Sequence, residues 1–302
     1  MSTNRRGFLL SGAAVAGAAI LPDTIVAQDN TTASADEPKA KPEAALKLSS
    51  QINVIPGKEL QEKLATMEKW GFDGVELFGD VVGNEKKYED ALRNTKLRMS
   101  AVCWGSRKGD LVSDVVEKRP GAVEAFKRVL TSAGALGSTG VIYVPAFNNE
   151  TKLSNQEIRK VLLDTLPEIG EHAVKAGTRV LLEPLNRKEA FFLRLVADAA
   201  SIARDCQNPG ICVMGDFYHM CIEETSDLGA FLSAGSNLHH VHLASRIRVL
   251  PGQDERSFVE GFRGLKWIGY HDYCSLECGV RGDRAVEIPK SMVFLREQWA
   301  QA

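Results

Sequence analysis

The chain has 302 residues, 44% of them hydrophobic, with 37 Lys and Arg against 39 Asp and Glu for a net charge of −2. That near-neutral balance excludes the strongly basic face of a nucleic-acid binder. The length allows one large domain after the N-terminal segments are set aside.

The first 27 residues read as an export signal. Asn4-Arg5-Arg6-Gly7-Phe8-Leu9-Leu10 is a twin-arginine pattern, a small and apolar run follows from Ser11 to Leu21, and Ala27 is a candidate cleavage point. The run is too short for a stable membrane span. The expectation is export of a folded chain by the twin-arginine route to a periplasmic or extracellular location. Residues 28–45 are polar, contain proline and lack periodicity, so they read as a flexible tether.

From Leu46 onward strand and helix patterns alternate. Leu46 to Val54 is expected as a first strand. Leu60, Leu64 and Met67 mark one face of a helix stopped by Gly71, and Gly74 to Phe78 is the next strand. A short helix over Lys87 to Thr95 leads to a third strand, Leu97 to Trp104. Val123, Phe126 and Leu130 stripe a helix ending near Gly137, before a strand at Val141 to Val144. Leu162, Leu166, Ile169 and Ala173 stripe a longer helix that ends at Gly177. Later helices are expected near Leu195 to Cys206, Ser226 to Ala234, Glu255 to Leu265 and Ala285 to Trp299. This order predicts an α/β fold, a (β/α)₈ TIM barrel forming a single domain over residues 46–302. A doubly wound sheet is the alternative, but no glycine-rich phosphate loop follows the first strand.

Six cysteines are present, several inside expected strands, and none makes a metal-finger pair; they read as buried thiols. The chemistry is concentrated elsewhere. Val180-Leu181-Leu182 ends in Glu183, and an ionised carboxylate after a buried strand is costly unless a cation or donors receive it. Three further apolar segments end likewise in Asp216, His242 and Glu277. The intervals are about 30 residues, the length of one βα unit in a barrel of ~250 residues. Oxygen and imidazole ligands on neighbouring strand ends suit one Mn²⁺, Mg²⁺, Co²⁺ or Zn²⁺ ion. Of the other candidates, Glu76 and Trp104 end strands at the same mouth, with pairing to a lysine or arginine the plainer reading of Glu76. Strand alternation leaves His240, but not His239, on the face of His242, and neither is taken as a ligand. Arg187 and Arg281 are weak candidates for a phosphate.

The segments EPLNRKE, GDFYHM, HVHLASRIR and SLEC resemble those of the xylose isomerase-like barrels, nearest to the ketose 3-epimerases, with hydroxypyruvate isomerases as near relatives. The resemblance implies that Glu183, Asp216, His242 and Glu277 bind one divalent metal, Mn²⁺ foremost, and that Glu189, His219 and Arg248 contact the substrate. It implies catalysis by Glu183 and Glu277, which exchange a proton on carbon beside a carbonyl through an enediolate. Hydroxypyruvate isomerases tend to have Gln where His242 stands, which tilts the reading toward epimerases. This sequence departs from the family pattern at Ser245, often acidic, and at Pro251-Gly252-Gln253-Asp254, often Pro-Gly-x-Gly. The expected partner is a small sugar, with a homo-oligomer also expected of such barrels. Two alternatives stand beside the isomerase or epimerase: a metal-dependent lyase or dehydratase acting on a keto-sugar, inosose or 3-keto-glycoside, and a non-catalytic sugar-binding protein.

Overall fold

The computed structural model describes residues 43–302; the twin-arginine segment and most of the expected tether lie outside the described residues. The end of that tether is already anchored, since Ala45 N donates to Tyr270 O at 2.9 Å. Eight strands follow in chain order: β1 (Lys47–Ser50), β2 (Gly74–Phe78), β3 (Arg98–Gly105), β4 (Val141–Tyr143), β5 (Val180–Leu182), β6 (Ile211–Asp216), β7 (Leu238–Leu243) and β8 (Tyr273–Leu276). All neighbours pair in parallel, in the order β1-β8-β7-β6-β5-β4-β3-β2.

The helices α1 (Leu60–Trp70), α2 (Glu85–Arg93), α3 (Arg119–Ala135), α4 (Asn155–Ala176) and α5 (Val196–Asp205) link the first six strands. They are followed by α6 (Phe217–Glu223), α7 (Asp227–Ala234), α8 (Val259–Ile268) and α9 (Arg284–Gln301). This is the expected TIM barrel. The glycine stops at Gly71 and Gly177 are realised as left-handed C-caps of α1 and α4. Helix α4 also opens with a capping box between Ser154 and Glu157.

Three expectations are corrected. β1 ends at Ser50, because residues 51–54 turn away, Val54 N donating back to Gln51 O. α8 begins at Val259 rather than near Glu255, because Arg256 is drawn inward to pair with Asp227 at 2.8 Å and Phe258 N is held by the Gln298 side chain. α6 was not anticipated from the sequence. Its seven residues, Phe217–Glu223, are too few to show a helical period, and they are started by Asp216 Oδ1 accepting Tyr218 N at 2.7 Å.

No continuous ladder joins β1 to β2 among the described residues. Asp73 ties to Leu48 at the amino end, and Gln51 bridges to Glu76 at the carboxyl end. Within the barrel, Ala101, Ile142, Leu181, Cys212 and Met214 form an apolar inner cluster contributed by β3 to β6. The arc toward β1, β2, β7 and β8 buries Ser49, Ser275, His240 and Glu76 instead.

The outer layer packs tightly where α3 meets α4. A Cβ on Gly134 would lie 2.0 Å from the Ala176 carbonyl oxygen. Alanine in a helix ordinarily gains about 1 kcal/mol over glycine, but such overpacking costs about 1–3 kcal/mol, so Gly134→Ala is expected to destabilise. Urea unfolding measures this, and a rise in the midpoint would show that α3 moves aside freely.

Candidate metal centre and active site

The four ligand-type residues stand on four consecutive strands at the carboxyl end of the barrel. Glu183 follows β5, Asp216 ends β6, His242 is next to last in β7 and Glu277 follows β8. One donor atom from each lies within 4.8 Å of all the others. His242 Nδ1 is 3.1 Å from Glu277 Oε2 and 3.6 Å from Glu183 Oε1.

Glu183 Oε1, Asp216 Oδ2 and His242 Nδ1 are buried and lack a hydrogen-bond partner. An unsatisfied buried polar atom costs about 1–3 kcal/mol, more when charged. Three of them in one four-residue cluster are a poor way to fill a core and a good way to hold a cation. The donor set of three carboxylates and one imidazole fits a divalent ion of the Mn²⁺, Mg²⁺, Co²⁺ or Zn²⁺ class.

Two of the candidate ligands are held from behind. Asp216 gives its Oδ1 to the start of α6, which leaves Oδ2 for the site. Glu277 Oε1 accepts from Gln51 at 2.9 Å, and its Oε2 accepts from Arg248 at 2.8 Å. The substrate candidates line the adjacent wall. Asn186 donates to His219 Nδ1 from its backbone N–H at 3.1 Å and from its side-chain amide at 2.7 Å. His219 Nε2 lies 3.4 Å from both Asp216 Oδ2 and Arg248 Nη1. Glu189 Oε1 accepts from Asn186 at 3.0 Å and from Arg248 at 3.3 Å.

Arg248 is placed by its backbone. Ser245 N donates to Val249 O, Arg248 N to Ser245 O and Val249 N to Ser245 Oγ, a tight turn in which Arg248 has φ 57°. Such left-handed geometry is uncommon outside glycine. The guanidinium then lies 4.7 Å over the Tyr218 ring. The neighbouring Arg246 is exposed instead. A cleft of about 350 Å³ opens here, lined by Gln51, Asn53, Arg248, Glu277, Cys278 and Arg284. A larger cavity of about 630 Å³ lies at the amino end beside His239, Trp267 and Asp272, and carries none of the ligand residues.

The family model of the xylose isomerase-like TIM barrels matches residues 64–298. The chain belongs to that family. Among similar proteins, 3-dehydro-D-guloside 4-epimerase of Escherichia coli (strain K12) is 29% identical over 262 residues, covering 83% of this chain and 99% of that protein. A probable ketose 3-epimerase of Synechocystis sp. is 31% identical over 124 residues, covering 40% of each. The crystal structure of 3-keto-D-glucoside 4-epimerase from E. coli, in its apo form, gives a TM-score of 0.77 at 28% identity, covering 84% of this chain and 100% of that one.

In this xylose isomerase-like barrel the four acidic and basic groups sharing the pocket divide in their protonation. Burial pushes Asp216 up to about 7, with Glu277 adding to the shift, and burial likewise raises Glu183. Burial would raise Glu277 too, but His242 and Arg248 outweigh it and hold the carboxyl down to about 2. Burial disfavours the charged form of His242, yet Glu76 and Glu277 prevail and raise it well above an ordinary histidine. Burial keeps His219 below its ordinary value.

Several candidates find other roles. Glu76 is fully buried and pairs with His240 and His242 at 3.0 Å each rather than with a lysine or arginine. Trp104 packs on Phe126 and Tyr143, with ring centroids 4.5 and 6.2 Å apart. His239 turns outward to Asp272 at 2.6 Å. Arg187 is engaged by Glu223 at 2.7 and 3.0 Å, and Arg281 N is bonded by the Gln253 side chain. All six cysteines are free thiols. Sequence reasoning missed Gln51 and Asn186. Gln51 directly follows β1 and Asn186 lies in the loop after β5, and a place beyond a strand at the carboxyl end of the barrel is the one signal that marks them.

Proposed function

We propose that the protein is a divalent-metal-dependent epimerase of a keto-sugar, with a 3-keto-glycoside as the favoured substrate. The observation that carries this reading is the convergence of three orphaned buried donor atoms with Glu277, beside a wall of His219, Glu189 and Arg248. Similarity to the 4-epimerase of E. coli runs through 99% of that protein, against 40% for the Synechocystis ketose 3-epimerase, and this favours a keto-glycoside over a free ketose.

A bound cation would act as a Lewis acid toward the substrate carbonyl and its neighbouring hydroxyl, supplying several kcal/mol. The remaining chemistry belongs to the chain. Glu183 and Glu277 come from the outer two of four adjacent strands, β5 and β8, so they flank whatever lies over His242 and Asp216. Glu277, held ionised, takes the proton from the carbon beside the carbonyl, and the C–H electron pair moves toward the carbonyl oxygen. Glu183, standing on the opposite face, delivers a proton there, and the two carboxyls regain their starting states by exchange with water. The configuration inverts and no atom is lost. His219 hydrogen-bonds a substrate oxygen, the Arg248 guanidinium donates to another as negative charge develops, and Glu189 orients a hydroxyl.

The test is NMR in D₂O with Mn²⁺-loaded protein, the ion removed before acquisition, and a panel of 3-keto-glycosides, free ketoses, hydroxypyruvate and an inosose. Deuterium is expected next to the carbonyl of a 3-keto-glycoside, with an epimer of the same composition apart from that label. A product lighter by water or by the aglycone would replace epimerisation with elimination. Binding without exchange for any compound would sink the catalytic reading.

A further inference from the structure

Behind the four-residue site lies a second cluster, Glu76, His240 and His242, whose donor atoms also lie within 4.8 Å of one another. His240 Nε2 and His242 Nε2 each lie 3.0 Å from Glu76 Oε2, and all three side chains are fully buried. Gln51 Nε2 donates to Glu76 Oε1 and to Glu277 Oε1, both at 2.9 Å. Glu76 is therefore joined to two of the four ligand residues, to one directly and to the other through a single amide.

The geometry points to Glu76 as a positioning residue that decides which nitrogen of His242 and which oxygen of Glu277 face the ion; this rests on the metal-centre reading above. A carboxylate has only acceptors to offer. At 3.0 Å from His242 Nε2, Glu76 requires a proton on that nitrogen, so when the imidazole is neutral its lone pair is on Nδ1, the atom that faces Glu183 and Glu277. Gln51 has two amide hydrogens, and both are engaged. One is fixed by Glu76 and the other by Glu277 Oε1, so Glu277 presents Oε2.

His240 completes the arrangement. Its Nε2 shares Glu76 Oε2 with His242, and the two rings meet nearly at right angles, with centroids 5.2 Å apart. Glu76 is thereby held between two imidazoles on alternate residues of β7. The Nε2 atoms of both imidazoles and both oxygens of Glu76 are engaged within this rear cluster and by Gln51, and behind the site only His240 Nδ1 is left without a partner, so the cluster supports an ion in front rather than holding one itself.

Glu76→Gln conserves shape but gives one arm of the side chain hydrogens instead of lone pairs, so the His242, His240 and Gln51 bonds cannot all survive. Outer partners of metal ligands are typically worth 10–100-fold in affinity. Mn²⁺ titration by calorimetry is expected to show one ion per chain in both proteins and about 10–100-fold weaker binding by the variant. A second readout uses the unaltered protein, loaded with diamagnetic Zn²⁺ and labelled with ¹⁵N-histidine. His242 is expected to keep a proton on Nε2 while Nδ1 shifts on metal binding, and this holds whether or not the variant folds.

Equal affinity in the two proteins, or a proton on Nδ1 in the Zn²⁺ form, overturns the inference and leaves the metal centre intact. Two ions in the unaltered protein falling to one in Glu76→Gln would place a cation in the rear cluster and overturn it as well. No ion bound by the unaltered protein overturns the metal-centre reading first, and the inference with it.

Discussion

Glu277→Gln is expected to lower epimerisation by about 10²–10⁴-fold, the ordinary worth of a positioned general base, and to abolish deuterium exchange into the keto-sugar. The glutamine keeps the shape but has no basic oxygen, and its neutral amide no longer offers Arg248 the charge that now accepts at 2.8 Å. Because Glu277 is also a candidate ligand, the assay belongs at saturating metal, with bound ion measured alongside. Loss of exchange with the ion retained assigns the carboxylate to proton transfer. Loss of both reduces it to a ligand. Exchange comparable to the unaltered protein would remove Glu277 from the mechanism altogether, leaving Glu183 to act on both faces.

Arg248→Met should cost about 10²–10³-fold in kcat, the usual consequence of deleting one donor aimed at developing charge. Methionine preserves much of the stem that packs over Tyr218 while removing the guanidinium. Metal stoichiometry should be unchanged, because Glu277 Oε1 remains tied to Gln51. A rise in KM with kcat intact would mean that Arg248 binds substrate and transition state equally. A drop in bound metal would mean instead that its main task is to orient Glu277.

Residue spacing made the barrel and the convergence of the four candidate ligand residues legible. Each of Glu183, Asp216, His242 and Glu277 closes an apolar strand, and the repeat of βα units carries all four to one rim. Their supports were illegible for a different reason. Gln51 and Glu277 are separated by 226 positions, and His242 and Glu76 by 166, so no local pattern joins them. Glu76 was noticed but given the wrong partner. A carboxylate in a strand suggests a cation from outside, and only strand order shows that β2 faces two histidines of β7 across the barrel.

Nothing in the residue pattern separates Arg248 from Arg246, because the turn built on Ser245 is a matter of backbone conformation. Where the family pattern often has an acidic residue, this chain uses the serine hydroxyl to accept Val249 N, and the left-handed residue that follows aims its side chain inward. α6 escaped for lack of length, yet it carries His219 and takes Asp216 as its cap. One carboxylate thus serves a helix end and the proposed ion together.

The seam between β1 and β2 ties the mechanics of the barrel to its chemistry. Elsewhere the wall is knitted by continuous backbone ladders, which open only with large parts of the structure. Here the carboxyl end is fastened by the Gln51–Glu76 bridge and by Ile52 N donating to Glu76 O at 3.0 Å. The same two side chains brace His242 and Glu277. Any breathing of the wall at this point loosens two ligands together, and an ion drawing those ligands inward tightens the stave that has the fewest backbone bonds. Binding of the proposed ion would thereby be coupled to closure of the ring.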